Sequence, residues 1–188
     1  MSRQQRLTLI ATILGSAVVF LDGTIVNVAL PSIGRGLGAG LAGQQWVLEA
    51  YMLTMVSLLL VGGSLSDRFG RRRLFVIGLV TFGGTSILCA LAPTEGWLIG
   101  ARALQGVAGA LLVPGSLAIV AATFSGEERG KAVGTWTAWT GIATVFGPAG
   151  GGALVGLTSW RAIFWINIPL IAGTVMLTLR AVEESSDP

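Results

Sequence analysis

The sequence predicts an all-α integral membrane protein with six transmembrane helices. Of the 188 residues, 53% are hydrophobic and only 11% are charged, whereas a soluble domain carries roughly 25% charged residues. The mean hydropathy is +0.78, and the apolar residues are too many for the core of a soluble protein of this length. Six apolar runs reach the length of about 20 residues that a helix needs to cross a bilayer.

The first two predicted spans cover residues 7–30 and 44–66, with a Gly-rich segment, 31–43, between them. The first run follows Arg3 and Arg6, as the apolar part of a signal peptide would. It continues for more than 20 residues without a clear small-residue cleavage site, so we interpret it as a retained span.

The other four predicted spans cover residues 74–92, 97–124, 132–156 and 163–179. The connections between spans 2 and 6 are the short segments DRFGRRR, PTEG, SGEERGK and LTSWRA. None is long enough to form a domain. The sequence therefore predicts a single six-helix unit over residues 1–188.

The basic residues are distributed unequally between the two predicted sides of the membrane. Nine lie on the side of the termini: Arg3, Arg6, Arg68, Arg71, Arg72, Arg73, Arg129, Lys131 and Arg180. The opposite side has only Arg35 and Arg161. Because cytoplasmic loops are enriched in Lys and Arg, we expect both termini in the cytoplasm.

The residue inventory argues against several other functions. The pI is near 10, but the arginines occupy short gaps between apolar runs, which is typical of membrane topology and not of nucleic-acid binding. Cys89 is the only cysteine and the chain has no histidine, so we expect no disulfide, metal site or cofactor. Intramembrane serine and zinc proteases need histidine, and intramembrane aspartyl proteases need a second aspartate inside a span, so these enzyme classes do not fit. An ATP-driven pump is not supported either, because the sequence lacks a Walker A pattern.

The connection between spans 2 and 3 has an unusual charge order. Asp67 lies at the C-terminal end of span 2, whereas Arg71 and Arg72 lie at the N-terminal end of span 3. Each charge has the wrong sign for the dipole at its helix end, and the positive-inside rule accounts only for the arginines. We therefore expect Asp67 to pair with Arg71 or Arg72 across a turn at Gly70. The alternative is an ordinary basic loop that anchors two helices.

Two charged residues, Asp22 and Arg102, lie inside predicted spans 1 and 4. A charge at the bilayer centre costs at least ~2.5–3.5 kcal/mol, and such residues usually mark an ion or proton path. The alternative is a tie between two helices. Without histidine, Asp22 and Glu49 are the only candidates within spans for a protonatable relay. We interpret Glu49, near the outer end of span 2, as a carboxylate that reaches the surface.

Span 5 contains a cluster of small residues. Gly147 and Gly151, followed by Gly152 and Gly156, are spaced to form one smooth face that another helix can approach closely. Pro148 lacks a backbone donor and favours a kink. The alternative is the generic packing of small residues in membrane helices.

Two segments, 62–75 and 151–164, are weakly similar to each other. GGSLSDRFGRRRLF and GGALVGLTSWRAIF share a Gly-Gly pair, a leucine, an arginine and a final phenylalanine at a constant offset of 89. Because they are predicted on opposite sides of the membrane, they indicate an inverted three-plus-three repeat. The alternative is a chance match between Gly-rich membrane segments.

Together these segments resemble the major facilitator superfamily. The pattern G-x-L-x-D-R-x-G-R-R at 63–72 resembles its signature cytoplasmic loop between spans 2 and 3. LDGTIVNVALP at 21–31 resembles the first-span motif of its drug:proton antiporters, especially the fourteen-helix multidrug-resistance branch, and SWRAIFWINIP at 159–169 resembles the start of span 6 in that branch. ARALQGVAGALLVP at 101–114 resembles the fourth-span motif, and Gly-Pro-x-x-Gly-Gly at 147–152 resembles the antiporter motif found in exporters. The matching motif residues are Gly63, Asp67, Arg68, Gly70, Arg71 and Arg72 in the loop, Arg102, Gln105 and Gly106 in span 4, and Gly147, Pro148, Gly151 and Gly152 in span 5.

The resemblance implies the N-terminal six-helix half of a major facilitator fold, with the C-terminal half absent from these 188 residues. It implies secondary active export, across the plasma or inner membrane, of small lipophilic or cationic compounds in exchange for protons. In this interpretation Asp22 has a role in coupling or substrate handling and Arg102 a role in proton transfer. We expect only an anchoring role for Trp160 and Trp165, which are also typical of aromatic belts at the membrane interface.

The expected partners are the lipid bilayer, a small-molecule substrate, protons and a second six-helix half. That half would be either the missing C-terminal part or a dimer partner. The alternative is a truncated, non-transporting half or an assembly subunit that needs a second half.

Overall fold

The computed structural model describes residues 1–186 and contains, in that range, only helices. They are α1 Arg3–Leu37, α2 Leu41–Phe69, α3 Arg71–Ala90, α4 Glu95–Thr123, α5 Gly126–Leu157, α6 Ala162–Trp165 and α7 Asn167–Ala181. The short α6 and the following α7 together form the sixth segment that is long and apolar enough to cross a membrane, Ala162–Ala181. The predicted all-α fold with six spans is confirmed.

The helices are longer than the predicted apolar runs, most of all at the end of α1. The segment 31–43, predicted to connect spans 1 and 2, is helical in its first half, because α1 continues through Pro31 and ends only at Leu37. Pro31 removes one backbone donor and does not end the helix. The helix stops where Gly38 adopts a left-handed conformation with φ 66°, which glycine adopts without steric cost. Gly36 accommodates a neighbour, since a Cβ there would lie 2.6 Å from Nε1 of Trp160.

α1 and α4 occupy the centre of the helix arrangement. α1 contacts α5, α7, α4 and α2, and α4 contacts α2, α3, α1 and α5. Exchanging spans 1, 2 and 3 with spans 4, 5 and 6 leaves these pairings unchanged: α1 with α5 corresponds to α4 with α2, and α1 with α7 corresponds to α4 with α3. Equivalent spans run in opposite directions because they are three helices apart, so the packing has the form of the predicted inverted repeat.

The Gly-Gly pairs of the two repeated segments have equivalent positions in this packing. A Cβ on Gly62 of α2 would overlap the backbone oxygen of Ala110 in α4, and one on Gly151 of α5 would overlap Ile25 in α1. The second glycines make looser contacts, at 3.6 Å from Gly63 to Pro114 and at 3.5 Å from Gly152 to Val28. The similar segments therefore each contribute a glycine to a close contact between an outer and a central helix.

α2 and α5 are the least covered spans. In the most apolar 18-residue window of each helix, 61% of the residues are buried in α1, but only 22% in α2 and 17% in α5. Both helices pack mainly against one central helix. Their remaining faces are open to lipid or to another protein.

Candidate functional site

A fully buried polar cluster lies where α1, α3, α4 and α7 meet. Asp22 comes from α1, Ser86 from α3, Arg102 and Gln105 from α4, and Asn167 from α7, and all five side chains have no exposed surface. Arg102 and Gln105 are three residues apart and therefore lie on one face of α4. Four spans thus each contribute polar groups to one point inside an otherwise apolar bundle.

Asp22 and Arg102, the two charges predicted inside spans, form an ion pair. Nη1 of Arg102 donates to Oδ2 of Asp22, and neither side chain is exposed. Nη1 also donates to Oε1 of Gln105 at 2.8 Å, and Nε of Arg102 donates to the carbonyl oxygen of Val47 in α2 at 3.2 Å. The pair therefore links α1, α4 and α2, as the tie between helices considered for these residues would.

The second carboxylate oxygen of Asp22 is held by two side-chain amides. Oδ1 accepts from Nδ2 of Asn167 at 3.0 Å and from Nε2 of Gln105 at 3.3 Å. The same two amide nitrogens donate to Oγ of Ser86, at 3.2 Å and 2.8 Å. Hydrogen-bond donors thus contact both oxygens of the carboxylate.

An aromatic wall covers Arg102. Cζ of Arg102 lies 4.1 Å from the ring centroid of Tyr51 and 6.0 Å from that of Phe164, distances at which a cation and an aromatic face attract each other. The hydroxyl of Tyr51 donates to the carbonyl oxygen of Val19 at 3.0 Å, so this ring is fixed on α1. Water is thereby excluded from the ion pair in this conformation.

Two atoms of the cluster retain unused hydrogen-bonding capacity. Among the described residues, Nη2 of Arg102 and Oδ1 of Asn167 are buried and have no hydrogen-bond partner. One is a charged donor and the other an acceptor. Leaving such groups without hydrogen bonds costs free energy. Both atoms would therefore form hydrogen bonds if the helices moved or water entered.

The loop between α2 and α3 has the predicted geometry. Nε and Nη2 of Arg71 lie 2.9 Å and 2.8 Å from Oδ1 of Asp67, so of the two expected partners Arg71 is the one that pairs. Gly70 separates the helices with φ 102°, a conformation that side-chain-bearing residues rarely adopt. The guanidinium of Arg68 lies over the ring of Phe69, 5.6 Å from its centroid.

A carboxylate from the other end of the chain caps α3. Oε1 and Oε2 of Glu184 accept from the backbone N–H groups of Arg72 and Arg73 at 3.0 Å and 3.1 Å, and the N–H of Arg71 donates to the carbonyl oxygen of Ser185 at 2.9 Å. Three otherwise unpaired amides of the first helical turn are thus satisfied. The negative charge also compensates the arginines at this helix end.

Replacing Glu184 with alanine should therefore loosen the start of α3. We expect hydrogen exchange at the amides of Arg72 and Arg73 to accelerate roughly fivefold, because a lost helix cap costs about 1 kcal/mol. Glu183 is the matched control, since its carboxylate accepts from the side chain of Gln4, at 2.8 Å from Nε2, and from no α3 amide within residues 1–186. Equal acceleration in the Glu183→Ala variant would contradict a specific cap.

The glycines of span 5 form a close seam with α1. A Cβ on Gly147 would overlap Oγ1 of Thr24, and one on Gly151 would overlap Ile25. Gly152 makes ordinary contact. The prediction that Gly156 shares this face was wrong. A Cβ there would meet no atom within 4 Å, because the turn of the helix places this residue away from α1. Pro148 is exposed beside the seam and lies within the continuous α5.

The structure revises the interpretation of one tryptophan and agrees with that of three other residues. Trp160, expected at the membrane interface, is only 4% exposed and packs edge-on against Phe164, at 6.3 Å between ring centroids. Trp165 is 45% exposed, as expected of an interface aromatic. Cys89, interpreted as a packing residue, is buried, with its thiol 3.5 Å from Oε1 of Gln105. Glu49 is exposed, in agreement with its interpretation as a surface-reaching carboxylate.

Sequence reasoning missed Asn167, Ser86 and Glu184. Asn167 interrupts the apolar run W-I-N-I-P of span 6, and an amide in such a run is itself a signal of a buried polar partner. Ser86 carries no comparable signal. Glu184 lies 112 residues from Arg72, so only the fold brings them together.

Comparison with known protein families and proteins identifies the group to which this architecture belongs. The sequence profile of the Major Facilitator Superfamily matches residues 12–188. The chain is a member of this superfamily. Its six helices superimpose on a bacterial homologue of the human lysosomal transporter Spinster, solved in an inward-facing, unoccupied conformation, with a TM-score of 0.79 over 100% of this chain and 46% of that one. At 20% identity this likeness shows the major facilitator fold alone.

Several curated relatives of this major facilitator chain are named for drug resistance or export. The Multidrug resistance protein Stp of Mycobacterium tuberculosis is 46% identical over 186 residues, which are 98% of this chain and 35% of that protein. The Methylenomycin A resistance protein of Bacillus subtilis is 40% identical over 93% of this chain and 38% of its own length. The Tetracenomycin C resistance and export protein of Streptomyces glaucescens is 39% identical over 95% of this chain and 34% of its own length. The chain thus spans about a third of the length of these relatives.

Proposed function

We propose that this chain forms the N-terminal six-helix half of a proton-coupled exporter of small lipophilic or cationic compounds. A second six-helix half completes the substrate cavity, and α2 and α5, the least covered spans, face it. The supporting observation is the buried ion pair between Asp22 and Arg102, inside a chain whose relatives are named resistance and export proteins.

Protonation of Asp22 is the event that changes the stability of this arrangement. A neutral Asp22 no longer balances the charge of Arg102, and a buried charge that loses its partner is strongly unfavourable. The free energy of the packed state then rises relative to one in which α1 and α4 separate and Arg102 gains water. A proton thereby shifts the population between two transporter conformations.

The pair is closed to water in this conformation, so the proton reaches Asp22 only when the helices move. Asn167 and Gln105 hold Oδ1 while Arg102 holds Oδ2, and protonation removes at least one acceptor from this set. The unused donor of Arg102 and acceptor of Asn167 then provide new bonding positions. Coupling thus needs no histidine.

Export and membrane orientation complete the proposal. The Gly-Pro-x-x-Gly-Gly segment keeps α5 close to α1. Because α1 carries Asp22, a movement of α5 would displace one member of the ion pair. The excess of arginines near both termini supports a cytoplasmic position for the Asp67 loop in the plasma or inner membrane.

The direct test is a hybrid in which this chain replaces the matching 186 residues of Stp. Inside-out vesicles containing the hybrid should accumulate ethidium, a lipophilic cation, when their lumen is acidified, and a protonophore should abolish the uptake. Uptake that follows a sodium gradient and ignores the protonophore would overturn proton coupling. No ethidium flux, with the hybrid correctly inserted, would contradict the proposed substrate class.

The need for a second half is tested separately on the 188-residue chain. Blue-native electrophoresis of the purified chain measures its oligomeric state, and reconstitution into vesicles measures its transport. Together they distinguish a homodimer that transports from an inert monomer. We expect no transport by the monomer. Vectorial ethidium transport by a monodisperse monomer would show that a second half is unnecessary.

A further inference from the structure

An apolar groove runs between α3 and α7, away from the buried cluster. Its volume is about 400 Å³, and its lining belongs to these two helices alone, with Val80, Gly83, Gly84 and Ile87 from α3 and Ala172 and Met176 among those from α7. Gly84 is exposed, and a Cβ added there would meet no atom within 4 Å. The lack of side chains on Gly83 and Gly84 leaves space into which a slender apolar group fits.

Two arginines extend the walls of this groove towards the side of the termini. On α3, Arg73 precedes Val80 by seven residues and Gly84 by eleven, which places all three on one helix face. On α7, Arg180 follows Met176 by four residues and Ala172 by eight, again on one face. Nη2 of Arg72 donates to the carbonyl oxygen of Leu179 at 3.3 Å, so the two arginine-bearing helix ends are adjacent.

The guanidinium groups of these two arginines are accessible to a ligand. Arg73 and Arg180 are exposed, and no ion pair of either is found within residues 1–186. The two carboxylates that follow Arg180 in the sequence have other hydrogen-bond partners: Glu184 accepts from two α3 amides and Glu183 from Gln4. The apolar groove and the two arginines at its end can therefore bind a ligand that has both an apolar chain and a negatively charged group.

We propose that this groove is a binding site for an anionic phospholipid of the leaflet on the side of the termini. One acyl chain lies along Gly83 and Gly84 between α3 and α7, and the phosphate headgroup lies between the guanidinium groups of Arg73 and Arg180. The proposal is independent of substrate and of proton coupling, since it involves none of the residues of the buried cluster.

The dimensions of the groove fit this occupant. At 1.5 Å rise per residue, Arg73 lies about 10 Å above Val80 and about 20 Å above Ile87, and one leaflet contributes roughly half of a 30 Å hydrocarbon core. The guanidinium groups of arginine donate in a fork that matches phosphate oxygens. A basic residue near an anionic membrane surface contributes about 1 kcal/mol, so two arginines discriminate between anionic and zwitterionic headgroups.

The test uses the purified 188-residue chain in detergent, titrated with phosphatidylglycerol or with phosphatidylcholine of the same acyl chains. Bound lipid is counted by native mass spectrometry. We expect about thirtyfold tighter binding of phosphatidylglycerol, from the two arginines together. The Arg73→Gln/Arg180→Gln variant should lose this preference. The Arg3→Gln/Arg6→Gln variant, with the same net charge and exposed arginines on the same predicted side, should keep it.

A second pair of variants tests the apolar part of the site. Gly84→Leu fills the groove and should weaken phosphatidylglycerol binding, whereas Gly141→Leu, at an equally open glycine of α5, should not. The proposal is overturned if phosphatidylcholine binds equally well, if Arg3→Gln/Arg6→Gln removes the preference as fully as Arg73→Gln/Arg180→Gln, or if Gly84→Leu binds like the parent. Unchanged elution and helical circular dichroism establish that each variant is folded.

Discussion

Replacing Asp22 with asparagine is expected to abolish proton-driven efflux and to destabilise the chain by about 3–5 kcal/mol. Asparagine keeps the shape of the side chain but leaves the fully buried guanidinium of Arg102 without a counter-charge. It also cannot take up or release a proton. Ethidium transport by the Stp hybrid measures the first effect, and thermal unfolding of the purified chain in detergent measures the second.

The double variant Asp22→Asn/Arg102→Gln separates stability from coupling. Removing both charges removes the uncompensated one, so stability should recover much of the loss while efflux remains absent. Glu49→Gln is the matched control, because Glu49 is also a carboxylate within a span but is exposed. Transport by Asp22→Asn that still depends on pH would exclude Asp22 from the mechanism. Strictly additive stability losses in the double variant would show that the two charges do not interact.

Replacing Gly106 with alanine is expected to separate α2 from α4 and to cost about 1–3 kcal/mol. A Cβ at this position would overlap both the backbone oxygen of Tyr51 and Oγ1 of Thr54. The carbonyl cannot rotate away as a side chain could, so the helices themselves must shift. Thr54 Oγ1 also donates to the carbonyl oxygen of Ala103 at 2.9 Å, and this interhelical bond would be lost. The midpoint of thermal unfolding in detergent measures the change.

Gly100 provides the control on the same helix. It lies in α4 six residues before Gly106, and a Cβ there would meet no atom within 4 Å. Gly100→Ala should therefore be neutral or stabilising, since alanine favours the helix over glycine by up to about 1 kcal/mol. If both variants unfold at the same temperature, close contact at Gly106 is not what holds α2 against α4.

The number and order of the spans could be predicted because length and hydropathy act locally. The ends of the helices could not be predicted in this way, because a helix can continue beyond the hydrocarbon layer where its polar side chains are in contact with water. Pro31 misled the prediction because it is a helix breaker in general, whereas here only one backbone hydrogen bond is lost and Gly38 sets the end. The short α6 before α7 likewise left no periodic signal in the apolar run.

The candidate site was predictable where charge is involved. Asp22, Arg102 and the Asp67–Arg71 pair could be identified because an ion in a membrane span, or at the wrong helix end, is costly without a partner. That Asp22 and Arg102 are each other's partner depends on how α1 crosses α4, which no local pattern encodes. Among the uncharged partners, the amide of Asn167 in an apolar run was a usable signal, whereas Ser86 is a small residue that is cheap to bury once hydrogen-bonded, so its residue type alone did not mark it.

The attachment of Glu184 and Ser185 to the first turn of α3 has a mechanical consequence. Three backbone amides connect the peptide that leaves α7 to the turn at Gly70. A pull on this peptide is therefore transmitted to the Asp67–Arg71 loop directly, without deformation of the apolar interior. Tension applied at residue 186 would reach the ends of α2 and α3 before it unwinds α7.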